Sequence, residues 1–398
     1  MQDENFKLKD VFKVVHLVDN SFQSDSRVEK ELGSLMQLGV PIMVCAIDEQ
    51  KLPKKEVRNG YYIDRIFPKS LVSSYYKFGY KSKMNKIIDE IPLREAIVVH
   101  CHDFMMLRIG VLMKIRYPNL KLIYDSHEYL KGWPYYRNAQ GYLNQIKGFC
   151  TWTFFKWCEK KDAKKANKII TINDQIASKL KKHLRLKQKP LVVGNYLSKK
   201  SLSVSNKISF KKLLNINDDE LIIIHSGSIY LKEKDLRNLL IEIRMVQGKK
   251  INLVFMGNTE IFFRLKSKFE NENELHFIDF PHNINERISL LSSANIGLLY
   301  VDTHMEAHRI GFSNRFIEYI SAGIPVIANY QEFVVKFNST CECCEIFKNV
   351  DNQNLKIYIE KLLNNETFYR KNIKNNRDKI YWENHEEVFL KYYKSALT

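Results

Sequence analysis

Short apolar runs rich in β-branched residues alternate along this chain with segments whose apolar residues recur at helical spacing. In the first half, the predicted strands are Val11–Val18, Pro41–Ile47, Ala96–His100, Leu120–Tyr124, Lys168–Ile172 and Pro190–Val193. In the second half, they are Leu221–His225, Asn252–Met256, Leu275–Ile278, Ile296–Val301 and Ile324–Ala328. The predicted helices include Asp25–Leu38, Phe104–Tyr117 and Asp174–His183, with Asp25 and Asp174 as candidate N-caps. Such alternation predicts an α/β fold with mainly parallel sheets.

The alternation lapses after Gly194, where residues 197–217 are rich in Lys, Ser and Asn, and then restarts. A length of 398 residues also exceeds that of one ordinary domain. We therefore predict a first domain over residues 1–198 and a second over 199–379, each a Rossmann-like, doubly wound unit. The aromatic side chains of the last helix, at about 380–398, need a surface to pack on, and we expect this helix to complete the first domain. Two such domains in succession bring their strand ends to one cleft, where nucleotides bind.

The positive charge of the chain is concentrated in its first half. Residues 1–198 hold 35 Lys and Arg against 20 Asp and Glu, a net charge of +15, whereas residues 199–398 carry +3. A basic half implies a polyanionic partner, such as an anionic membrane, a phosphate-bearing acceptor or nucleic acid, unless it is merely a well-solvated surface. Because no zinc-finger or RRM signature accompanies the charge, we expect no nucleic acid.

The sequence contains no apolar run near the roughly 20 residues that a membrane-spanning helix needs, and its polar start does not resemble a secretory signal. The seven cysteines are odd in number and lack the spacing of a disulfide framework. We therefore expect a cytoplasmic protein with reduced thiols.

Cys341, Cys343 and Cys344 lie close together and could suggest a zinc site, but no second Cys or His pair lies nearby in sequence to complete it. We expect half-buried thiols at a strand edge and no bound metal.

Residues 147–165 interleave bulky aromatic side chains with lysines. A helix with Phe149, Trp152 and Phe155 on one side and lysines beside them would suit an anionic interface. The alternative is that the aromatics belong to the core and the lysines form their solvated back, because the helix must also pack on a sheet. Together with the charge of the first half, the pattern predicts peripheral association with the inner face of the plasma membrane. The lysines expected to take part are Lys160, Lys161, Lys164 and Lys165.

The most specific stretch for chemistry runs from Gly311 to Asn329 and reads GFSNRFIEYISAGIPVIAN. It predicts a loop, a helix that begins near Ser313, and a buried strand. The backbone N–H groups and dipole of the helix start form an anion site, and Arg315 in the first turn can clamp phosphate. Glu318, one turn further along the same face, can accept hydrogen bonds from a ribose diol. Spacing alone equally allows an ordinary helix-to-strand unit with a surface ion pair.

This stretch resembles the donor-site signature of retaining GT-B glycosyltransferases of family 4, which has the form PNK-aromatic-x-E-Y-x-x-x-G-x-P-V-I. The resemblance implies that Glu318 binds the ribose of a nucleotide-sugar donor and that Arg315, in place of the usual lysine, binds its phosphate. The turn at Ser226 and Gly227, directly after the strand at 221–225, resembles the family's glycine loop. A lysine further along resembles the family's lysine, and in the family both features face the diphosphate. That lysine is Lys232 or Lys234, and the spacing favours Lys234. The full set implied to bind the donor is Ser226, Gly227, Lys234, Gly257, Asn314, Arg315 and Glu318.

Two segments of the first domain, His100–Asp103 and Tyr124–Glu128, resemble the family's H-x-H-D and Y-D-S-H-E motifs. Both lie at the ends of predicted strands, where a doubly wound fold keeps its chemistry. Lone histidines are more often structural, but pairs at two adjacent strand ends favour a polar site. The resemblance implies that His127 faces the reacting sugar and acceptor, with Asp103 and His102 on the acceptor side.

Two positions depart from the family pattern. Many members have two glutamates separated by seven residues, and the first, which holds the donor sugar, falls here on Ile310. Ser228 stands where many members have an arginine, so one cation of the glycine loop is missing. Both departures bear on the identity of the donor sugar and on activity itself.

The resemblance covers most of residues 11–393 and implies a GT-B fold, with two Rossmann-like domains facing across a cleft. It implies a hexosyltransferase-like enzyme that moves a sugar from a UDP- or GDP-sugar to a glycan or lipid-linked acceptor, in cell-surface polysaccharide or glycolipid synthesis. No metal cofactor is expected, because Arg315 and Lys234 take its place at the diphosphate. The alternatives are a GT-B scaffold without activity, another sugar-nucleotide enzyme such as an epimerase, and a basic nucleic-acid-binding protein.

Overall fold

A computed structural model of the chain describes residues 12–70, 79–134, 136, 139–202, 208–281, 283–347 and 355–397. Val11, the predicted start of the first strand, lies outside the described residues. The chain divides into two compact units. The first unit comprises residues 1–194 and 385–398, and the second comprises residues 195–384. These limits differ by a few residues from the predicted ones.

Each unit is built on a mainly parallel sheet whose strands alternate with helices along the chain. The strands of the first unit are β1 (Val14–Leu17), β2 (Ile42–Ile47), β3 (Lys55–Arg58), β4 (Tyr61–Phe67), β5 (Val98–His102), β6 (Lys121–Ser126), β7 (Lys168–Thr171) and β8 (Leu191–Val192). Those of the second are β9 (Leu221–Ser226), β10 (Ile251–Gly257), β11 (Leu275–Asp279), β12 (Ile296–Leu299), β13 (Val326–Asn329) and β14 (Cys344–Phe347). The sheet orders are β3-β4-β2-β1-β5-β6-β7-β8 and β11-β10-β9-β12-β13-β14. Only β3 and β4 pair antiparallel among these described strands, so the predicted fold class is confirmed.

The helices follow the strands in the order that the sequence pattern predicts. The helices up to residue 184 are α1 (Ser26–Met36), α2 (Tyr80–Glu90), α3 (Asp103–Arg116), α4 (Tyr142–Asp162) and α5 (Asp174–Leu184). Those of the second unit are α6 (Phe210–Leu214), α7 (Glu233–Arg244), α8 (Glu260–Lys268), α9 (Ile284–Ser292), α10 (Glu306–Ile310), α11 (Asn314–Ala322), α12 (Glu332–Cys341), α13 (Leu355–Asn364) and α14 (Glu366–Asn376). The last helix is α15 (Glu383–Leu397). Within the described ranges, no helix combines the length and the apolar character needed to cross a bilayer.

The helix caps follow from local sequence. Asp25 caps α1, because its carboxylate accepts a hydrogen bond from the backbone N–H of Val28 at 3.1 Å. The prediction for α5 is wrong by one residue, since Asn173 accepts from the N–H of Ile176 at 2.8 Å and Asp174 is already helical. Either side chain supplies an oxygen at a helix start, so composition alone does not decide between neighbours.

The sequence pattern missed the strands β3, β4 and β14. Strand β3 has the sequence KEVR and lies at an edge of its sheet, where charged residues discourage pairing with another chain. Such a strand has no apolar run to reveal it.

Cys341, Cys343 and Cys344 are all buried, near the start of the edge strand β14. The expectation of half-buried thiols is therefore wrong, because the three cysteines belong to a hydrophobic cluster of the second unit that includes Phe333 and Ile373.

From His385 onward, the last helix belongs to the first unit. Glu386 accepts hydrogen bonds from the hydroxyl of Ser34 at 2.6 Å and from the amide of Gln37 at 2.8 Å, which tie α15 to α1. Tyr393 is fully buried, and its ring stacks on that of His16 with centroids 6.4 Å apart. The last helix therefore covers the face of the first sheet that carries His16.

Candidate active site

The second unit has a tight turn directly after β9. Gly227 has a φ of +84°, a left-handed conformation that side chains rarely adopt, so the turn requires glycine. Its N–H donates to the carbonyl of Met256 at 2.7 Å, which ties the turn to the end of β10. Ser226 is fully buried, and its backbone N–H donates to the hydroxyl of Tyr319 at 2.9 Å. The end of β9 is therefore fixed from two sides.

Helix α11 brings Arg315 next to this glycine turn. Ser313 caps the helix, because its hydroxyl accepts a hydrogen bond from the N–H of Phe316 at 3.3 Å. A Cβ built on Gly227 would lie 3.6 Å from Cδ of Arg315, so the arginine side chain runs along the turn. A guanidinium beside a glycine turn and a helix start is an arrangement suited to an anion such as phosphate.

His225 orients Arg315. Nη1 of Arg315 lies 3.0 Å from Nε2 of His225, and Nδ1 of the same ring lies 3.2 Å from the carbonyl of Leu298. Burial and the neighbouring guanidinium lower the pKa of His225 to about 3, so the neutral ring donates to the carbonyl and accepts from the arginine. The guanidinium also lies 5.7 Å from the ring centroid of Tyr230. Among the described residues no carboxylate forms an ion pair with Arg315, so its charge is available to a ligand.

Glu318 is paired with an arginine that the sequence does not point to. Nη2 and Nε of Arg287 lie 2.8 and 3.2 Å from the same carboxylate oxygen of Glu318. The guanidinium also donates to the carbonyl of Pro281 at 3.0 Å and lies 4.5 Å from the ring centroid of Phe280. Burial raises the pKa of Glu318, and the charge of Arg287 opposes this shift. The carboxylate is therefore positioned before a ligand arrives.

Tyr319 explains how closely α11 approaches the second sheet. Its ring lies over Gly297 of β12, where a Cβ would come within 2.7 Å of the ring carbons. Its hydroxyl lies 3.2 Å from the carbonyls of Ile224 and Leu298. A larger residue at position 297 would push α11 away from the sheet, and the side chains of its first turn would move with it.

The other predicted donor residues are less constrained. A Cβ on Gly257 would lie 3.2 Å from the carbonyl of Gly227, so the two glycine turns are in contact. Asn314 is exposed, and its amide oxygen accepts a hydrogen bond from Asn195 at 3.2 Å. Lys234 is exposed in the first turn of α7 and, within the described part of the chain, has no ion-pair partner. The contacts around the β9 turn and helix α11 therefore connect five of the predicted donor residues, namely Ser226, Gly227, Gly257, Arg315 and Glu318. Lys234 takes no part in these contacts.

Ile310 ends α10 and is completely buried in the core of the second unit. An isoleucine there offers no hydrogen bond to a sugar. The neighbouring His308 turns away from this position, since its Nδ1 lies 3.0 Å from the carbonyl of Asp302. Recognition of a donor sugar therefore depends on residues other than the one at the family's glutamate position.

The first unit carries a row of four histidines at the carboxyl ends of its central strands. His16 of β1 lies beside His100 of β5 in the sheet register. Nδ1 of His16 lies 3.0 Å from Nε2 of His102, and Nδ1 of His102 lies 3.2 Å from Nε2 of His127. The side chain of His102 is 2% exposed and that of His127 is 22% exposed, whereas the other two are fully buried. The row therefore runs from the interior to the surface, where His127 can meet a ligand.

Two carboxylates hold His127. Its Nδ1 lies 3.2 Å from Asp103, its Nε2 lies 3.2 Å from Asp125, and its backbone N–H donates to Asp103 at 3.0 Å. Burial opposes a charge on this ring, but the two carboxylates outweigh it and hold the pKa of His127 well above its ordinary value. Asp103 has a φ of +61°, which few residues other than glycine adopt, so its carboxylate is placed at the cost of backbone strain. The three predicted catalytic residues, His102, Asp103 and His127, are thus brought together.

Two more acidic residues are perturbed by the same site. Burial, and then the like charge of Asp103, raise the pKa of Asp19 to about 6 and that of Glu128 to about 7. Groups with shifted pKa values that gather around one imidazole at strand ends are typical of functional sites. The electrostatics of the first unit therefore agree with a polar site at His127.

The sequence analysis assigned no role to Arg27 and Glu31 of α1. Two nitrogens of Arg27 donate to the carboxylate of Asp125 at 2.8 and 3.0 Å, and a third donates to the carbonyl of Val193 at 2.9 Å. Nε of Arg27 also lies 3.2 Å from Glu31, whose pKa burial raises to about 8 despite that charge. The available signal was an Arg and a Glu four residues apart, directly beside the apolar stripe of the helix.

Two family models match the chain. The model for glycosyl transferases group 1 matches residues 206–379, within the second unit, and the model for Glycosyltransferase Family 4 matches residues 28–195, in the first. The chain is therefore a glycosyltransferase of the GT-B fold, with a family 4 domain followed by a group 1 domain. No curated protein sequence matches it significantly.

Solved structures are similar along nearly the whole chain. A sucrose-phosphate synthase from Thermosynechococcus elongatus has a TM-score of 0.73 at 15% identity, over 96% of this chain and 98% of that one. HepE of Anabaena, solved in complex with UDP-glucose, has a TM-score of 0.68 at 10% identity, over 96% and 99%. A glycosyltransferase from Rickettsia africae ESF-5 has a TM-score of 0.63 at 13% identity, over 97% and 99%. At these identities the likeness shows the fold.

Proposed function

We propose that the protein is a retaining, hexosyltransferase-like enzyme that transfers a sugar from a UDP- or GDP-sugar to a glycan or lipid-linked acceptor. Its role would lie in the synthesis of a cell-surface polysaccharide or glycolipid. The observation that carries the proposal is the placement of Arg315 along the Gly227 turn, one helical turn before Glu318. The UDP-glucose in the HepE structure supports a nucleotide sugar as the donor.

The donor diphosphate is the leaving group of this reaction. Arg315 offers a fork of N–H donors that His225 orients and that no described carboxylate neutralises, so it binds phosphate oxygens bidentately. As the bond to the sugar breaks, negative charge develops on the diphosphate, and preorganised donors stabilise that charge. Lys234, which is exposed in the first turn of α7, adds a second cation. These cations take the place of a divalent metal at the diphosphate.

Glu318 accepts hydrogen bonds from the ribose hydroxyl groups of the donor. Two nitrogens of Arg287 donate to one carboxylate oxygen, which fixes the direction of the other oxygen. We assign Arg287 a positioning role, because it acts on the ribose through Glu318. Because the Glu318 carboxylate is already held in position, it loses little conformational entropy when the nucleotide binds.

The acceptor interacts with the histidine row of the first unit in this proposal. His127 is the member of the row with an exposed edge, and Asp103 and Asp125 fix the orientation of its ring. Nδ1 of His102 lies 3.2 Å from Nε2 of His127 and also helps to hold the ring in place. His127 would therefore contact the acceptor hydroxyl and the reacting sugar, with Asp103 and His102 as its immediate partners.

We also propose that the first unit binds anionic membranes through α4. Of the 21 residues of this helix, the buried ones are Cys158, Glu159 and Asp162. Its exposed apolar residues are Tyr142, Leu143, Ile146, Phe149, Phe154 and Trp157. An exposed apolar surface beside basic residues is typical of helices that lie in a membrane interface. We call this set of six side chains the α4 surface.

The aromatic side chains of this helix differ in their surroundings, which bears on the two roles that the sequence left open. Phe155 packs on Phe104 with ring centroids 5.1 Å apart, and the indole N–H of Trp152 donates to the carbonyl of Leu130 at 3.3 Å. These two side chains anchor the helix. Trp157, by contrast, is 57% exposed, and Lys161 lies 5.0 Å from its ring centroid. The exposed aromatics therefore support the interfacial alternative over a core position.

A donor screen tests the proposed function. We expect one class among UDP-, GDP- and ADP-sugars to raise the melting temperature, and the same radiolabelled donor to give transfer or slow hydrolysis. The Arg315→Ala variant should lose the thermal shift, whereas Arg309→Ala, a half-exposed arginine on the preceding helix, should keep it. The absence of binding and turnover with all three classes would reject the proposal.

A further inference from the structure

The buried end of the histidine row contains polar atoms that the protein itself leaves without hydrogen bonds. In the described part of the chain these atoms are Nε2 of His16, both ring nitrogens of His100, both carboxylate oxygens of Glu31 and the hydroxyl of Tyr393. Glu31 has one ion contact, to Nε of Arg27 at 3.2 Å. Folded proteins satisfy nearly all buried polar atoms, because an unpaired one loses its hydrogen bonds to water without replacement. Six such atoms, gathered where α1 and α15 cover one face of the first sheet, point to a bound group.

Four of the side chains are arranged as metal ligands. One ligand atom each from His16, Glu31, His100 and His102 lies within 4.8 Å of the other three. Tetrahedral zinc, with metal–nitrogen distances of about 2.0–2.1 Å, separates its ligand atoms by roughly 3.3 Å. Small side-chain rotations therefore close this cluster onto one ion. We propose that the first unit binds a zinc ion through His16, Glu31, His100 and His102, as a closed structural site.

The sheet register explains why three imidazoles meet here. His16 and His100 are direct neighbours across the parallel pair of β1 and β5. Side chains two residues apart on a strand point to the same face, so His102 shares the face of His100. Helix α1 packs on this face and contributes Glu31, which is fully buried. Three imidazoles and one carboxylate are a ligand set that zinc favours.

A second layer of groups around the cluster also fits a metal site. The carboxylate of Asp125 lies 3.8 Å from Nε2 of His100 and 3.6 Å from Nδ1 of His102. These distances are too long for hydrogen bonds, but the side-chain rotations that close the cluster would let this carboxylate take the far N–H of a metal-bound histidine, as second-layer carboxylates typically do. Nδ1 of His100 and Nε2 of His102 are then left for the ion. Arg27 holds Asp125 and Glu31 in place, and the two carboxylates outnumber its single charge.

The site is closed rather than catalytic. Its ligands are buried, and Tyr393 of α15 covers them, with its ring centroid 6.4 Å from that of His16 and 5.9 Å from that of His100. A structural zinc site has four protein ligands and no open position for substrate. The ion would therefore enter as the first unit folds and would stabilise it. This inference does not depend on the proposed donor chemistry, which belongs to the second unit.

Metal analysis of the untagged, full-length chain tests the proposal. The protein is refolded from denaturant with one equivalent of Zn²⁺ or with a strong chelator, and bound metal is measured by mass spectrometry after desalting. We expect about one zinc per chain, a higher melting temperature in the zinc sample, and tetrahedral absorption bands when Co²⁺ replaces zinc. Refolded protein that retains well under one zinc per chain would overturn the proposal, and the cluster would then be a buried polar network that shares protons or holds water.

A matched pair of variants tests the ligand assignment. Glu31→Gln keeps the shape of the side chain but removes the anionic ligand, and we expect zinc affinity to fall at least tenfold. Glu29→Gln, on the same helix but partly exposed, should bind zinc like the parent. Equal zinc affinity in both variants would overturn the assignment of Glu31. If Glu31→Gln does not fold, the metal content of the refolded parent decides the proposal by itself.

Discussion

Arg287 and Glu318 form a nearly buried ion pair in which two guanidinium nitrogens, at 2.8 and 3.2 Å, reach the same carboxylate oxygen. The two side chains are 13% and 10% exposed. Removal of one partner leaves the other charge buried and unpaired, which typically costs about 3–5 kcal/mol. We therefore expect Arg287→Met to lower the free energy of unfolding of the second unit by about 3 kcal/mol.

Denaturant unfolding followed by circular dichroism measures this change. The double variant Arg287→Met/Glu318→Gln should recover part of the loss, because neither charge is then left alone. An Arg287→Met variant as stable as the parent would show that the pair contributes nothing to the fold.

The donor-site assignment predicts a loss of nucleotide affinity. Glu318→Ala and Arg315→Ala each remove a charged hydrogen-bonding group, and each should weaken binding by about 1.5–3 kcal/mol. Arg315→Lys should fall between Arg315→Ala and the parent, because lysine keeps the charge but loses the fork. Titration calorimetry with UDP and GDP measures the affinities, with Arg309→Ala as control. Unchanged affinity in both alanine variants would place the donor elsewhere.

His127 should act on transfer and leave nucleotide binding unchanged. The residue lies in the first unit, whereas the proposed donor residues belong to the second. His127→Ala should lower kcat by roughly 10²-fold or more, because loss of a group that positions a reactant typically has an effect of this size. The nucleotide dissociation constant, measured on the same sample, should equal that of the parent. A variant that transfers normally, or one that no longer binds nucleotide, would contradict this role.

Catalysis should not require added magnesium or manganese. The reason is that Arg315 and Lys234 supply the positive charge at the diphosphate in the proposed mechanism. We expect full activity when both metals are omitted and EDTA is present during the assay. Zinc analysis of the treated sample checks that the enclosed ion proposed for the first unit stays bound. Complete loss of activity that magnesium or manganese restores would exclude the mechanism.

Membrane binding should depend on salt and on anionic lipid. Each basic residue near an anionic surface contributes on the order of 1 kcal/mol, and salt screens this attraction within about 8–10 Å. The parent should therefore sediment with anionic vesicles at low salt and remain in solution with neutral ones.

Two sets of variants locate the membrane surface. Sedimentation should weaken when glutamate replaces Lys160, Lys161, Lys164 and Lys165. It should also weaken when serine replaces Tyr142 and Leu143 of the α4 surface. The control reverses four exposed lysines of the second unit, Lys249, Lys266, Lys371 and Lys374. Equal binding to both lipids, or an equal effect of the control, would argue against the α4 surface.

The buried strands could be predicted because each is a nearly continuous apolar run. Strands β1, β2, β9 and β10 are buried along their whole length, and such runs are visible without knowledge of their neighbours. Strand β3 was missed because KEVR at a sheet edge has no apolar signal. The sheet order was equally out of reach, since β1 pairs with β5 across a crossover that local periodicity does not encode.

The same distinction applies to the candidate site. Arg315, Glu318 and His127 lie at helix starts and strand ends, and their motifs single them out. Their partners are His225, at the end of a predicted strand, and Arg287, in a helix that was not among the predicted elements. Each becomes informative only when the sheet order and helix packing bring it within hydrogen-bond distance of a motif residue. Sequence therefore indicates which groups carry the chemistry, and the tertiary structure shows what holds them.

The return of α15 to the first unit has a consequence for the order of events on the ribosome. Residues 1–194 emerge first, but the helix that carries Tyr393 is made only after all of residues 195–384. At about 5–20 residues per second, that delay is on the order of ten to forty seconds. For this interval His16 and His100 lack the cover of Tyr393, whereas the second unit is one continuous stretch that can fold once it has left the exit tunnel. The half of the protein that is translated first is thus the half that is finished last.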